Sequence, residues 1–144
     1  MTRQERALTH FQTGFNCAQS VLLAFACELG LSEESASRLA QAFGGGMART
    51  GQTCGAVTGA MLVLGLKHGK VKPEDDAARE KTYALTREFF SLFQAKNGSL
   101  LCWQLLGIDL SSPGGHELAN SKGLFQTVCP QLIRSSIDIL EELL

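Results

Sequence analysis

The segment TCGAVTGAMLVLGLKH, residues 53–68, is an apolar stretch rich in small side chains that directly follows a glycine-rich loop. Apolar residues here and along the rest of the chain recur at helical spacing, and no segment alternates convincingly as a half-buried strand does. Gly69 is well placed to end a helix after His68. The segment therefore predicts a helix from about Thr53 to His68 in an all-α protein.

Capping residues and apolar periodicity predict six more helices around that segment. Their starts are expected near Ala7, Asn16, Ser32, Pro73, Leu101 and Cys129. The stretch from Ser111 to Gly115 is expected to be an exposed loop. With no internal repeat and no second domain, residues 1–144 are predicted to form a single-domain helical bundle of about six to seven helices.

Composition narrows the classes of protein that this chain can belong to. Of its 144 residues 44% are hydrophobic and 19% charged, and its formal net charge of −1 gives no attraction for nucleic acid or an anionic membrane. The polar start from Met1 to Arg6 predicts no signal peptide. The longest apolar stretch, Ala56 to Leu66, is shorter than the roughly 20 residues of a membrane span. A cytoplasmic location is expected, where cysteines more often indicate metal binding, catalysis or redox sensing than permanent disulfides.

Four of the five cysteines lie at or near predicted helix starts: Cys17, Cys54, Cys102 and Cys129. Free backbone N–H groups and the helix dipole stabilise a thiolate at such a position and lower its pKa. Cys129 fits this pattern better than Cys54, because Pro130 fixes the helix start behind it. In a thiol-based mechanism Cys54 is nevertheless predicted to be the most nucleophilic, and Arg49 could help hold its thiolate. The alternative is that each cysteine is a small buried apolar residue, as most free cysteines are.

The spacing of the cysteines limits what they can form together. Cys27 follows Cys17 by ten residues on one predicted helix, about 15 Å along its axis, so the two cannot form a disulfide. Cys27 is interpreted as a packing residue. No Cys-x-x-Cys pair is present, which argues against a zinc ribbon or a thioredoxin-type dithiol. If the other four thiols meet by packing of separate helices, they could hold an iron–sulfur cluster, hold zinc, or form reducible disulfides.

Glycines flank the central cysteine on both sides. Gly55 and Gly59 are four residues apart, a spacing that favours close packing of two helices over backbone access for a ligand. Gly45 and Gly46, with Arg49 after them, could form an anion-binding nest, although a simple helix-ending turn is favoured. These five residues are the candidate cofactor-binding positions.

The order of these features resembles the C_GCAxxG_C_C family, whose members are small, mostly prokaryotic redox-active proteins. The resemblance covers nearly the whole chain and rests on the segment Gly14–Gln19, the Gly45–Met47 loop, the run Cys54–Gly59, and the single cysteines Cys102 and Cys129. It implies that Cys17, Cys54, Cys102 and Cys129 are the characteristic cysteines, with Gly55 and Gly59 as motif glycines. Cys27 has no counterpart in the family pattern.

Similar modules resemble part of split-Soret-type cytochromes, in which haem and an iron–sulfur centre occur. Since this chain has no Cys-x-x-Cys-His motif, covalent c-type haem is not expected. The resemblance implies a redox role but no particular reaction.

Three functions follow as hypotheses. The first is a thiol-based redox or electron-transfer protein that acts on an unidentified redox partner through the four cysteines, either as dithiols or as metal ligands. The second is a non-enzymatic metal-binding or accessory protein with structural cysteines. Such a protein would pack through its small-residue helix against another subunit or, as a homo-oligomer, against a second copy of itself. The third, an enzyme acting on a small molecule at the glycine loop, lacks a supporting acid–base pair. Reactivity of the folded thiols separates the first from the second.

Overall fold

A computed structural model describes residues 1–144 and is all-α, as predicted. The helices are α1 (Arg3–Thr13), α2 (Cys17–Ala26), α3 (Glu33–Ala40), α4 (Gly55–His68), α5 (Asp76–Asn97), α6 (Cys102–Leu106), α7 (Gly115–Ser121), α8 (Leu124–Thr127) and α9 (Cys129–Leu143). Short 3-10 turns at Cys27–Leu29 and Gln41–Phe43 extend α2 and α3. None of the helices combines the length and apolar character needed to cross a membrane.

Two short helices, α7 and α8, were not predicted from the sequence. Gly115, placed at the end of the expected loop, is instead the first residue of α7. Both helices follow a glycine with positive φ, 74° at Gly114 and 68° at Gly123, and neither has a side-chain cap. The Ser, Thr, Asp or Asn that usually marks a helix start is therefore missing, which is why the pattern indicated a loop.

The centre of the core is α2, in which every residue from Ala18 to Ala26 is buried. It packs against α1, α3 and α4, while α9 closes the core against α1, α4 and α5.

The contact between α2 and α4 is unusually close. A Cβ atom at Gly59 would lie 2.8 Å from the Ala18 carbonyl oxygen and 3.0 Å from the Val21 Cβ atom. The close packing predicted for Gly55 and Gly59 is thus confirmed.

The start of α2 is fixed by reciprocal capping. The Asn16 side chain accepts a hydrogen bond from the Gln19 amide at 2.9 Å, and the Gln19 side chain accepts one from the Asn16 amide at 2.9 Å. Asn16 also donates to the Gln41 carbonyl oxygen at 3.1 Å, which ties α2 to the turn after α3. These bonds hold Cys17 as the first residue of its helix.

Cys27 does not pack in the core, so its interpretation as a packing residue was wrong. It is exposed, because α2 ends at Ala26 and Cys27 opens the 3-10 turn at the surface. Its neighbour Glu28 forms ion pairs with Arg3 at 2.6 Å and with Arg6 at 2.9 Å on α1.

Candidate thiol site

One cavity of about 970 Å³ is lined by all four cysteines that the sequence singled out. Cys17, Cys102 and Cys129 are the first residues of α2, α6 and α9, and Cys54 directly precedes α4. The predicted helix-start positions are confirmed. The sequence left open whether the thiols converge, and the structure brings them to the wall of one cavity.

Backbone hydrogen bonds connect the start of α4 to the start of α6. The Cys54 amide donates to the Leu100 carbonyl oxygen at 2.8 Å, and the Cys102 amide donates to the Gln52 carbonyl oxygen at 2.6 Å. Thr53 and Leu101 form an isolated antiparallel bridge between these two bonds. The two cysteines are therefore held by a short, rigid connection although they lie far apart in sequence.

The glycine loop forms part of the same cavity wall in a conformation that the sequence did not predict. Five consecutive residues have positive φ: Gly45 at 66°, Gly46 at 69°, Met47 at 66°, Ala48 at 55° and Arg49 at 62°. Each of the three non-glycine residues costs roughly 1–2 kcal/mol in this left-handed conformation. Strain of this kind persists only where the surrounding structure imposes it, and it is concentrated at functional sites.

Contact with Cys102 explains why the loop needs glycine at its second position. A Cβ atom at Gly46 would lie 2.6 Å from the Cys102 Cβ atom and 2.8 Å from the Gln52 amide nitrogen. Gly46 is buried, and neither its amide nor that of Gly45 donates a backbone hydrogen bond. The loop therefore lies directly on the thiol site, and the anion-binding nest stays a prediction.

Cys17 and Cys129 lie close enough for each to shift the pKa of the other. Interaction with Cys129 raises the pKa of Cys17, and interaction with Cys17 lowers the pKa of Cys129 by favouring its thiolate. Burial also raises the pKa of Cys17. Cys129, at the start of α9 with Pro130 behind it, is the one cysteine of the cavity whose pKa is lowered.

Cys54 differs from its prediction as the most nucleophilic thiol. Its side chain is 3% exposed, and burial raises its pKa to about 12. The nearby backbone amides of Ala56 and Val57 lower the pKa, as expected at a helix start, but the cost of removing the charge from water is larger. Burial, followed by the charges of Cys129 and Asp109, likewise raises the pKa of Cys102 to about 12.

These two raised values predict that the protein loses stability at alkaline pH. Between an ordinary thiol pKa of 9.0 and the folded values of about 12, the unfolded chain releases the protons of Cys54 and Cys102 while the folded chain retains them. The free energy of unfolding should therefore fall as pH rises through this window. Urea denaturation at several pH values from 8 to 11 measures this free energy. In the Cys54→Ala variant it should fall less steeply with pH. An unchanged slope in that variant would show that Cys54 does not contribute.

The candidate cofactor-binding residues separate into two groups. Gly45, Gly46, Arg49 and Gly55 line the cavity, and a Cβ atom at Gly55 would lie 3.0 Å from the Cys17 Cβ atom. Gly59 does not line it, because it packs against Ala18 and Val21. None of the cysteine pKa shifts comes from Arg49, so its expected role in holding the Cys54 thiolate finds no support.

Two aromatic residues of the cavity were missed by the sequence reasoning. His116 on α7 and Phe125 on α8 lie with their ring centroids 5.3 Å apart and both line the cavity. No motif identified them, because both helices begin without a recognisable cap. His116 had no ligand-like spacing to the other histidines, and only its place in the fold brings it to the site.

The four thiols are suitable metal ligands by their chemistry, but the distances between them do not suit a metal site. Four thiols are ligands that iron–sulfur clusters and zinc prefer. However, no three His, Cys, Asp or Glu side chains are grouped closely enough to hold a metal ion. The arrangement therefore does not form a ready metal site.

The chain matches one known protein family. A family model described as "Putative redox-active protein (C_GCAxxG_C_C)" matches residues 15–143. Searches of curated proteins and of solved structures gave no match. The matched region includes all four cavity cysteines and the helix that begins at Gly55, and the description of the family supports a redox-related role in general. The chain belongs to the C_GCAxxG_C_C family.

Proposed function

We propose that this protein carries out thiol–disulfide exchange, with Cys129 as the attacking thiol and Cys17 as the resolving thiol. The observation that carries the proposal is the position of both thiols on the wall of one cavity, where each shifts the pKa of the other. The lowered pKa of Cys129 supports its role as nucleophile, since the thiolate is the reactive form. The family description supports redox chemistry in general.

The exchange proceeds in two balanced steps. The Cys129 thiolate attacks one sulfur of a disulfide substrate, forms a mixed disulfide and releases the other substrate sulfur as a thiolate. Cys17 then loses its proton to solvent or to the released thiolate. Its sulfur attacks the Cys129 sulfur and displaces the second substrate thiolate. Two protein thiols are oxidised to one disulfide, and one substrate disulfide is reduced to two thiols.

Cys54 and Cys102 have a different part in this scheme. Because burial raises the pKa of each to about 12, both are protonated near neutral pH and poor nucleophiles. They line the cavity and are expected to stay reduced while Cys17 and Cys129 are oxidised. The proposal thus separates the four characteristic cysteines into one reacting pair and two neighbours.

Metal ligation by the four cysteines is a second candidate, because all four thiols reach one cavity. Metal ligation would require the helix starts that carry the cysteines to move closer together, because no three of these side chains are grouped closely enough to hold a metal ion. An accessory protein with inert cysteines is the third. Both differ from the dithiol proposal in measurable ways.

Thiol and metal counting on protein purified without oxygen tests the proposal. The Cys27→Ser variant is the background, because exposed Cys27 would otherwise form disulfides between chains. Titration with a mild oxidant should lower the number of free thiols, counted after denaturation, from four to two, and reduction should restore them. Peptide mapping should find the Cys17–Cys129 disulfide.

Two other results would contradict the proposal. Bound iron or zinc that protects all four thiols would identify a ligand site. No reversible thiol loss, with alkylation only after denaturation, would identify structural cysteines.

A further inference from the structure

The charge of the cavity wall differs from that of the chain as a whole. The chain has 14 acidic and 13 basic residues, yet none of the 25 residues that line the cavity is Asp or Glu. The lining includes Arg49 and His116, whereas its other polar side chains are amides, hydroxyls and thiols. The Asp109 carboxylate, whose charge raises the pKa of Cys102, lies outside this lining. A cavity wall with a basic side chain and no carboxylate favours an anionic occupant.

The backbone around the cavity adds to this preference. The buried amide of Gly46 and the amide of Gly45 donate no backbone hydrogen bond. The first residues of α2 and α9 and the residue before α4 also lie on the wall, so the positive ends of three helix dipoles face it. Backbone donors and dipoles therefore act in the same direction as Arg49.

Access to the thiols limits the size of the substrate. Cys129 is 6% exposed and Cys17 only partly exposed, so neither sulfur projects from the surface. A disulfide on a folded protein cannot easily bring its sulfur atoms to a recessed thiol. A cavity of about 970 Å³ is at the upper end of the range of roughly 300–1,000 Å³ that holds small molecules.

We infer that the substrate of this site is a low-molecular-weight disulfide bearing carboxylate groups, which enters the cavity and is oriented by Arg49. The inference rests on the proposed thiol–disulfide exchange and names the substrate class for it. Such a molecule is reduced to two small thiols while Cys17 and Cys129 become a disulfide, as in the two steps above.

Three aliphatic disulfides of similar size and different charge test this inference: the dianion dithiodipropionate, the neutral hydroxyethyl disulfide and the dication cystamine. The rate of Cys17–Cys129 disulfide formation is measured with each in the Cys27→Ser background. Each rate is divided by the rate at which the same compound oxidises free dithiothreitol, which removes differences in intrinsic reactivity. The dianion should be the fastest and the dication the slowest.

The Arg49→Glu variant tests the role of the side chain. Because the change reverses one charge, it should lower the ratio of the dianion rate to the dication rate by about tenfold. The matched control is Arg87→Glu, the same charge change at an exposed residue of α5 that does not line the cavity. It should leave the ratio unchanged.

Failure of the inference and failure of the proposed function give different results. If dication and dianion react equally well and Arg49→Glu changes nothing, the substrate class is wrong while the exchange chemistry stands. The same conclusion follows if oxidised thioredoxin, as a protein disulfide, reacts faster than every small compound. If no compound produces the Cys17–Cys129 disulfide, the proposed function itself fails.

Discussion

Replacing Cys129 with serine is expected to abolish the reversible loss of two thiols, whereas replacing Cys17 with serine should trap a mixed disulfide. Without Cys129 the cavity retains Cys17, Cys54 and Cys102. Cys17 then loses the interaction with Cys129 that is the largest cause of its raised pKa, but burial still raises that pKa, as it raises those of Cys54 and Cys102 to about 12. No thiol with a lowered pKa therefore remains in the cavity. The rate of oxidation should fall at least about a hundredfold. Without Cys17, Cys129 still attacks the oxidant, but no sulfur displaces the bound fragment. Intact mass measurement after oxidation distinguishes the two products.

The nature of the substitution at position 17 tests how this neighbour affects the Cys129 thiolate. A serine hydroxyl can donate a hydrogen bond to the thiolate, while alanine cannot. The Cys17→Ala variant should therefore form its mixed disulfide more slowly than Cys17→Ser, by about threefold. The effect is moderate because a thiolate of higher pKa is also more nucleophilic, which offsets part of the lost thiolate fraction.

Cys54→Ser serves as the control for this series, because it removes a cavity thiol that the mechanism does not use. It should still lose two thiols on oxidation and give the same Cys17–Cys129 peptide. Retention of the two-thiol loss in the Cys129→Ser variant would contradict the assignment, since another pair would then be the reacting one.

The helix-start positions of the four cysteines could be predicted because they depend on local signals. Asn16 caps α2 and Pro130 fixes the start of α9, and both act on residues next to them in the sequence. The meeting of the thiols could not be predicted in this way. It depends on long-range contacts such as that of Gly46 with Cys102, which join residues from separate elements.

The pKa of Cys54 was mispredicted for a related reason. The sequence shows that Cys54 precedes a helix, and the backbone amides of Ala56 and Val57 do lower its pKa. It does not show how deeply the thiol is buried, and burial is the larger effect on the pKa of Cys54. Cys129 is also buried, but its pKa is lowered by interaction with Cys17, a residue more than a hundred positions away in the sequence. Tertiary packing therefore decides which thiol has the lowered pKa.

The second large effect is expected at Gly59, where alanine should lower the free energy of unfolding by about 2–3 kcal/mol. The new Cβ atom would lie 2.8 Å from the Ala18 carbonyl oxygen and 3.1 Å from the Ala18 Cα atom. These are backbone atoms that cannot rotate away, so α2 and α4 must separate. Urea denaturation followed by far-ultraviolet circular dichroism measures the change.

Gly65 in the same helix is the matched control, because a Cβ atom there would meet nothing within 4 Å. Gly65→Ala should raise the free energy of unfolding by about 0.5–1 kcal/mol through helix propensity alone. The two alanine substitutions should therefore change the free energy of unfolding in opposite directions, and equal stability of both variants would contradict the close α2–α4 contact.

Since α2 begins with Cys17 and α4 follows Cys54, separating the helices should also displace Cys17 from Cys129. A lower yield of the Cys17–Cys129 disulfide in Gly59→Ala, but not in Gly65→Ala, would connect the packing of small residues to the chemistry of the cavity.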